Sequence, residues 1–321
     1  MNQNILLKHK LYNNIQLYAL FILLSSLIIY VALIIGGEML VMVSLLSMIF
    51  LYFFNPTIAS RFILRMYNAQ LVPYSSAPAL YELIDIISER AGLSDPPKLY
   101  YIPSGVINSF AVGRSNSASI AVSDGVLKNL TYEEIAGILG HEISHISSDD
   151  IRVMTFADIS GRIVKALSVL GQLVILISLP LTLLNNIEIN WLPFIIVIFS
   201  PIASDLIQLG VSRVREYEAD IGSAMLLGDA RPLVSALKKI DDYEHNYFRS
   251  MFSTALKIPE PSLLRTHPKT EERIRRLLAI QTTFKYERIK HNDDLISGNT
   301  PHHHIELKER KPRRHINGFW Y

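Results

Sequence analysis

Five consecutive residues, His141-Glu142-Ile143-Ser144-His145, form an HExxH pattern. Histidines at positions i and i+4 lie one above the other on a helix face, so their imidazole nitrogens can meet one zinc ion at about 2.0–2.1 Å. Glu142 lies beside this pair, displaced around the helix, where its carboxylate can reach a zinc-bound water rather than the zinc. Zinc brings the pKa of such a water to about 7, and Glu142 would pass its proton to the leaving amine. The pattern predicts a zinc peptidase with Glu142 as general base.

A third zinc ligand is expected elsewhere, because catalytic zinc usually has three protein ligands and one open position. The segment Glu216-Tyr217-Glu218-Ala219-Asp220 offers candidates. On a helix, Glu216 and Asp220 share a face that Glu218 cannot join. Glu216 is then a candidate ligand, and Asp220 a candidate to accept a hydrogen bond from a ligand histidine and fix its tautomer. The alternative is a solvated acidic helix N-terminus, which the helix dipole favours.

The helix that carries HExxH has a recognisable beginning. Thr131 followed by Glu134 is the signature of a capping box. Gly137 and Gly140 each cost such a helix about 1 kcal/mol relative to alanine, which is explained if another backbone packs closely there. Before this helix the sequence predicts one strand at Lys98–Ile102 and two more on either side of a polar turn.

Composition excludes several other kinds of site. The 321-residue chain contains no cysteine, so thiolate zinc ligands, cysteine nucleophiles and disulfides are ruled out. A formal net charge of +2 does not indicate a nucleic-acid binder. The mean hydropathy of +0.26 is too high for an ordinary soluble enzyme of this size and indicates a membrane protein.

Four apolar stretches are candidates to cross the bilayer, which takes about 20 residues in a helix. They are Leu17–Ile35, Met39–Phe54, Ala166–Leu184 and Trp191–Leu209. The Lys and Arg clusters beside them fall on one side, and the two intervening turns contain none. The positive-inside rule therefore places both polar segments and both termini in the cytoplasm. For the last two stretches, a buried core hairpin is the alternative.

The predicted fold class is α+β and predominantly helical, with four transmembrane helices and a cytoplasmic metalloprotease domain. The chain divides into an N-terminal transmembrane hairpin (1–60), a first protease segment with the HExxH helix (61–161), a second transmembrane hairpin (162–210), a second protease segment with the third ligand (211–281) and a basic tail (282–321). In the second protease segment, a helix near Pro268 is predicted to place Ile274, Leu277 and Leu278 on its inner face.

These motifs together resemble the HtpX family of membrane zinc metalloproteases. The resemblance covers roughly residues 10–280. It rests on HEISH at 141–145, on the segment 212–220, on Thr266-His267-Pro268 with the following Glu271-Glu272-Arg273-Ile274, and on Asn108–Gly113. It implies a zincin-like domain in which one Zn²⁺ per chain is held by His141, His145 and Glu216, with Glu142 as the catalytic base.

The family likeness also implies a function, namely the degradation of damaged or misfolded membrane proteins at the cytoplasmic face of the cell membrane. Partners would then be polypeptides and the lipid bilayer, with no nucleic acid. One alternative is a prenyl-protein (CAAX-type) zinc endopeptidase, although that family resembles larger multi-span chambers. Another is a non-catalytic membrane scaffold, against which the intact Glu142 argues, because a scaffold needs no general base.

Two further expectations concern substrate. Asn108, Ser109, Phe110, Ala111, Val112 and Gly113 resemble the family's substrate edge strand, where an extended peptide can add as a further strand. An interior strand is the alternative, and if the strand is an edge, Val112→Pro should remove cleavage without unfolding the domain. His267 is a family motif residue expected either to support the transition state or to act as a helix cap or packing residue.

Overall fold

The computed structural model describes residues 3–54, 58–113, 115–184, 190–251 and 269–280. These residues are mostly helical, as the sequence predicts. The helices are α1 Gln3–Phe54, α2 Ile58–Met66, α3 Pro78–Arg90, α4 Asp124–Asn129, α5 Tyr132–Ser147, α6 Asp150–Leu184, α7 Trp191–Leu227, α8 Arg231–Met251 and α9 Thr270–Ile280. The strands are β1 Gln70–Leu71, β2 Lys98–Ile102, β3 Ser109–Val112 and β4 Ser119–Ser123.

The four strands form one sheet in the order β1-β2-β4-β3. Strands β2 and β4 are parallel, and the two outer strands pair antiparallel with them. Among the described residues β3 pairs with β4 alone, so it is an edge strand rather than an interior one. Strand β1 and helix α2 were not predicted from the sequence, because a two-residue strand and a nine-residue helix give weak periodic signals.

Alternating side chains divide the sheet into two faces. Leu99, Ile120 and Val122 point into a core shared with α3, α5, α7, α8 and α9. On the opposite face, Ile102 and Ala121 pack with residues of α2 and with Phe110 and Val112 of β3. The sheet is therefore covered on one side by the HExxH helix and on the other by α2.

Within the described residues, three helical elements are long and apolar enough to cross a membrane, against the four spans predicted. The difference arises because the first two predicted spans lie in one element, α1, which is interrupted at Gly36 (φ −146°) and Gly37 (φ 62°). Glycine adopts a positive φ without steric strain because it has no Cβ, and the chain reverses its direction at these two residues. The Phe21 ring lies 5.3 Å from the Phe156 ring, and Ser160 Oγ lies 3.4 Å from Met48 Sδ, so both halves of α1 contact neighbouring turns of α6.

Helix α7 joins the apolar part of the chain to the candidate site without a break. The predicted boundary between the second hairpin and the second protease segment, at residues 210 and 211, falls within one helix that runs from Trp191 to Leu227. Val211 and Val214 are buried against Leu17 of α1 and Ala157 of α6, which supports the helix through this stretch. The acidic segment 216–220 is thus fixed to the apolar helices.

Candidate metal centre

The HExxH helix, α5, begins with the predicted capping box. Thr131 Oγ1 accepts from the Glu134 N–H at 3.3 Å, and Glu134 Oε2 accepts from the Thr131 N–H at 2.7 Å. Ser235 and Lys239 of α8 also donate to Glu134, each at 2.7 Å. Burial by itself would raise the pKa of Glu134, but these hydrogen bonds, first of all that from Lys239, lower it below its ordinary value. The beginning of α5 is therefore tied to α8 through an ionised carboxylate.

Small residues allow two other elements to approach α5 closely. A Cβ at Gly137 would lie 2.6 Å from the Leu233 backbone nitrogen, and one at Gly140 would lie 2.9 Å from Ser223 Oγ. Ser223 Oγ donates to the Gly137 carbonyl at 2.8 Å. On α7, a Cβ at Gly222 would clash with the side chain of Ser144. This close packing, expected from the two α5 glycines, brings the acidic segment of α7 beside the histidines.

Three candidate metal-binding residues converge where α5 and α7 meet. His141 Nε2 lies 3.2 Å from His145 Nε2 and 3.5 Å from Glu216 Oε2, and His145 Nε2 lies 3.8 Å from Glu216 Oε1. Two nitrogens on one tetrahedral zinc at 2.0–2.1 Å are about 3.3–3.4 Å apart. The observed spacing and the imidazole and carboxylate donors therefore suit a metal ion, and these three residues form a group that could hold one.

A carboxylate and a guanidinium lie behind His145. Its Nδ1 is hydrogen-bonded to Asp150 Oδ2 at 2.7 Å, and Asp150 is also ion-paired with Arg215. Asp150 and Arg215 are both buried. The Nδ1 contact leaves Nε2 of this ring directed at the ligand group, which is the arrangement that orients metal-binding histidines.

His141 has a corresponding support from other elements. Its Nδ1 lies 3.1 Å from Asp220 Oδ1, without hydrogen-bond alignment, and Arg273 of α9 binds Asp220 through two bonds of 2.6 and 2.8 Å. Arg273 also lies 3.5 Å from Glu216 Oε2. Burial by itself would lower the pKa of His141, but Asp220 and Glu216 raise it to about 10. Asp220 likewise raises the pKa of Arg273, which stays charged although it is buried.

Three of these supporting residues were missed as site residues from the sequence. Asp150 lies five positions after His145 and had no motif of its own. Arg215 was counted only as a positive charge beside a span and as part of the family segment 212–220, and Arg273 only as part of a family motif. The signal that could have found them is chemical, because a buried ligand histidine needs an acceptor and a buried carboxylate needs a cation.

Glu142 lies beside the ligand group but takes no part in it. The residue is buried, and its Oε1 accepts from Ser109 Oγ of β3 at 2.8 Å. Ser109 and Ala111 therefore lie on the α5 side of the edge strand, whereas Phe110 and Val112 lie on the α2 side. The candidate base and the edge strand are thus joined by one hydrogen bond.

The remaining candidates fall in different places. Glu218 lies away from the ligand group, where its Oε1 accepts from Asn13 Nδ2 of α1 at 2.6 Å. His267 and the tail 282–321 lie outside the described residues, so their roles stay predictions.

Comparison with known proteins agrees with this geometry. Residues 75–281 match the model of Peptidase family M48. A "Protease HtpX homolog" of Paraburkholderia phytofirmans is 34% identical over 295 residues, which cover 86% of this chain and all of the relative (100%). A "Protease HtpX" of Legionella pneumophila is 34% identical over 283 residues, or 84% and 99% of the two chains. The crystal structure of S. mikatae Ste24p aligns with a TM-score of 0.47 at 22% identity, covering 84% of this chain and 67% of that one. The chain therefore belongs to peptidase family M48 and is a membrane metalloprotease.

Proposed function

We propose that this protease is a zinc-dependent endopeptidase that cleaves misfolded or damaged membrane proteins at the cytoplasmic face of the cell membrane. The observation that carries the proposal is the convergence of His141, His145 and Glu216 beside a buried Glu142 that is held by an edge strand. His141, His145 and Glu216 would hold one Zn²⁺. When bound, zinc would polarise the scissile carbonyl and acidify a water.

The chain's own contribution begins with Glu142. Glu142 directly follows the proposed ligand His141 in the sequence. The hydroxyl of Ser109 donates a hydrogen bond of 2.8 Å to one carboxylate oxygen of Glu142. The other oxygen is left to accept a proton from the attacking water and to return it to the leaving amine. Asp150 and Asp220 keep the two imidazoles oriented while this happens.

Strand β3 would hold the substrate through backbone hydrogen bonds. Ser123 N–H donates to the Asn108 carbonyl at 3.0 Å, so this facing pair is hydrogen-bonded across β3 and β4. Bonded and non-bonded pairs alternate in an antiparallel ladder, so the backbone of Phe110 and Val112 also faces β4. The N–H and C=O groups of Ser109 and Ala111 then face the open edge. A grip of this kind suits a protease of unfolded chains, because each non-proline residue of a substrate offers the same groups.

The membrane arrangement that we propose has four crossings. The reversal of α1 at Gly36 and Gly37 supports two crossings in that element. Helices α6 and α7 would supply the other two. Cytoplasmic placement of the site rests on the basic residues flanking these helices and the absence of basic residues from the intervening turns.

The test of the chemistry is Glu142→Gln in purified, zinc-loaded protein. Loss of a general base lowers turnover by about 10²–10⁴-fold or more, so cleavage of an unfolded membrane protein should disappear while zinc content stays at the wild-type value. Glu133→Gln is the matched control, because Glu133 is an exposed glutamate on the same helix. Near-normal turnover in Glu142→Gln would refute the mechanism. Selective cleavage of a prenylated peptide by the wild type would instead assign the prenyl-protein class.

The test of the edge strand is Ala111→Pro. It removes an N–H that faces the open edge, which an edge strand tolerates, so we expect wild-type zinc content and melting but loss of most cleavage. The sequence favoured Val112→Pro as the test. Because the N–H of Val112 faces β4 in the observed pairing, this substitution serves as the control instead. The side chain of Val112 is also buried, so this variant should lower the melting temperature. Unchanged cleavage by Ala111→Pro would show that substrate binds elsewhere.

A further inference from the structure

Helix α2 lies at the junction between an apolar helix and the sheet. Helix α1 ends at Phe54, and α2 begins four positions later at Ile58. Four residues span at most about 14 Å when fully extended. The first turn of α2 therefore lies within that distance of the end of a helical element that is apolar enough to cross a bilayer.

One side of α2 packs against the sheet. Leu64 is buried in a cluster with Ile102, Ala121 and Val112, and Ile63 packs against its margin. The ring of Tyr67, just after the helix, lies 4.9 Å from the ring of Phe110. These contacts fix how α2 is rotated about its axis, so the direction of its other side chains is set by the sheet.

The other side of α2 combines exposed apolar and basic residues. Phe62 is 65% exposed and Met66 46%, and they are neighbours one turn apart. Arg61 and Arg65 form a second exposed pair beside them. Among the residues that the structure describes, neither guanidinium takes part in an ion pair. An apolar ridge flanked by cations is the pattern of helices that lie in a membrane interface.

We propose that α2 lies in the headgroup layer of the bilayer, with Phe62 and Met66 inserted at the headgroup–acyl boundary and Arg61 and Arg65 on anionic phospholipid phosphates. Two observations favour lipid over another occupant of this surface. The helix begins beside the end of an apolar element, and its two exposed arginines, which have no ion-pair partner in the part of the chain that the structure describes, are complementary to an anionic leaflet. Because α2 also packs on Phe110 and Val112, it would hold β3 at a fixed distance from the membrane surface. This inference stands whether or not β3 binds substrate.

The absence of cysteine from the chain makes a direct test possible. A single cysteine is introduced as Phe62→Cys or Met66→Cys and carries an environment-sensitive fluorophore. The control is Asp85→Cys on α3, which is exposed and lies across the sheet from α2. Each full-length protein is placed in nanodiscs of phosphatidylcholine and phosphatidylglycerol. Quenching is measured with a spin label at shallow depth in the lipid and, separately, with aqueous iodide.

Labels at positions 62 and 66 should be quenched by the lipid-borne label several-fold more than the label at position 85, and by iodide several-fold less. Quenching by iodide alone would mean that the surface faces water, and protection from both quenchers would mean that protein covers it. Either result would overturn the proposal, as would equal lipid quenching at all three positions.

A second measurement tests the charges independently of the label at Phe62. With the label at Met66, replacing phosphatidylglycerol by phosphatidylcholine should lower lipid quenching by about twofold, since the electrostatic share of interfacial binding is lost. In the background Arg61→Gln and Arg65→Gln this dependence on lipid charge should vanish, while the melting temperature stays unchanged because both side chains are exposed. A dependence that persists in the double variant would contradict the role of these arginines.

Discussion

The two histidines of the candidate metal centre are supported by different parts of the chain. His145 is held by Asp150, only five residues away at the start of α6, with Arg215 of α7 behind it. His141 is held by Asp220 of α7, which is clamped by Arg273 of α9. The two sides also differ in the geometry of their histidine–aspartate and arginine–aspartate contacts. The histidine–aspartate contact is shorter on the His145 side, at 2.7 Å against 3.1 Å, whereas on the His141 side the arginine–aspartate contact has two hydrogen bonds.

This difference indicates which side of the site depends on distant structure. The His145 side is built from α5, α6 and α7, and the last two of these helices pack against α1 through two apolar clusters. The His141 side additionally needs α9, an 11-residue helix, to dock. Its docking depends on placing a buried arginine against Asp220, and an unpaired charge at either position would be costly. We therefore expect the two sides to fail in different ways when they are altered.

The largest effect is expected where the two sides meet, at Glu216. Its two oxygens face His141 and His145, at 3.5 and 3.8 Å. Glu216→Gln removes the charge of the proposed third ligand and should abolish stoichiometric zinc binding, measured by mass spectrometry of the metal in purified protein. Glu218→Gln is the matched control, since its side chain can still accept from Asn13 and lies away from the site. Equal zinc content in the two variants would contradict the ligand assignment.

A smaller effect should separate the two aspartates. Loss of an orienting partner typically lowers metal affinity about 10–100-fold. The loss of metal affinity should be at the upper end of this range for Asp150→Asn, because the contact between Asp150 and His145 is short and aligned. It should be at the lower end for Asp220→Asn. Asp220→Asn alone should increase hydrogen exchange in α9. Chelator competition and exchange mass spectrometry measure the two quantities. Equal affinities together with unchanged α9 protection would remove the distinction between the two sides.

The smallest effect should come from exchanging arginine for lysine. Lysine cannot reproduce a contact with two parallel hydrogen bonds, so Arg273→Lys should lose about 1.5–3 kcal/mol of stability, the usual value of a hydrogen bond to a charged group. Arg215 contacts Asp150 through one terminal nitrogen, which lysine can replace, so Arg215→Lys should lower the melting temperature less. Thermal unfolding of both zinc-loaded variants makes the comparison. A greater loss in Arg215→Lys would reverse the assignment of the two contacts.

Several features of the fold followed from local sequence. The capping box at Thr131, the close approach at Gly137 and Gly140 and the strand Lys98–Ile102 were all predicted and are present. Helix α9 was only partly anticipated. Leu278, expected inside, is 48% exposed, whereas Arg273 is buried. Hydrophobicity alone cannot predict a buried arginine, because its burial depends on a carboxylate from another helix.

The sequence by itself determined the chemistry that the chain can support. The spacing of His141 and His145, the adjacent Glu142 and the shared helix face of Glu216 and Asp220 are consequences of helical periodicity, which is local. Tertiary structure alone decided that β3 is an edge strand, that Ala111 rather than Val112 presents its N–H outward, and that Arg215 and Arg273 stand behind the two aspartates. These facts depend on strand order, pairing register and contacts between helices distant in sequence, and no local periodicity encodes them.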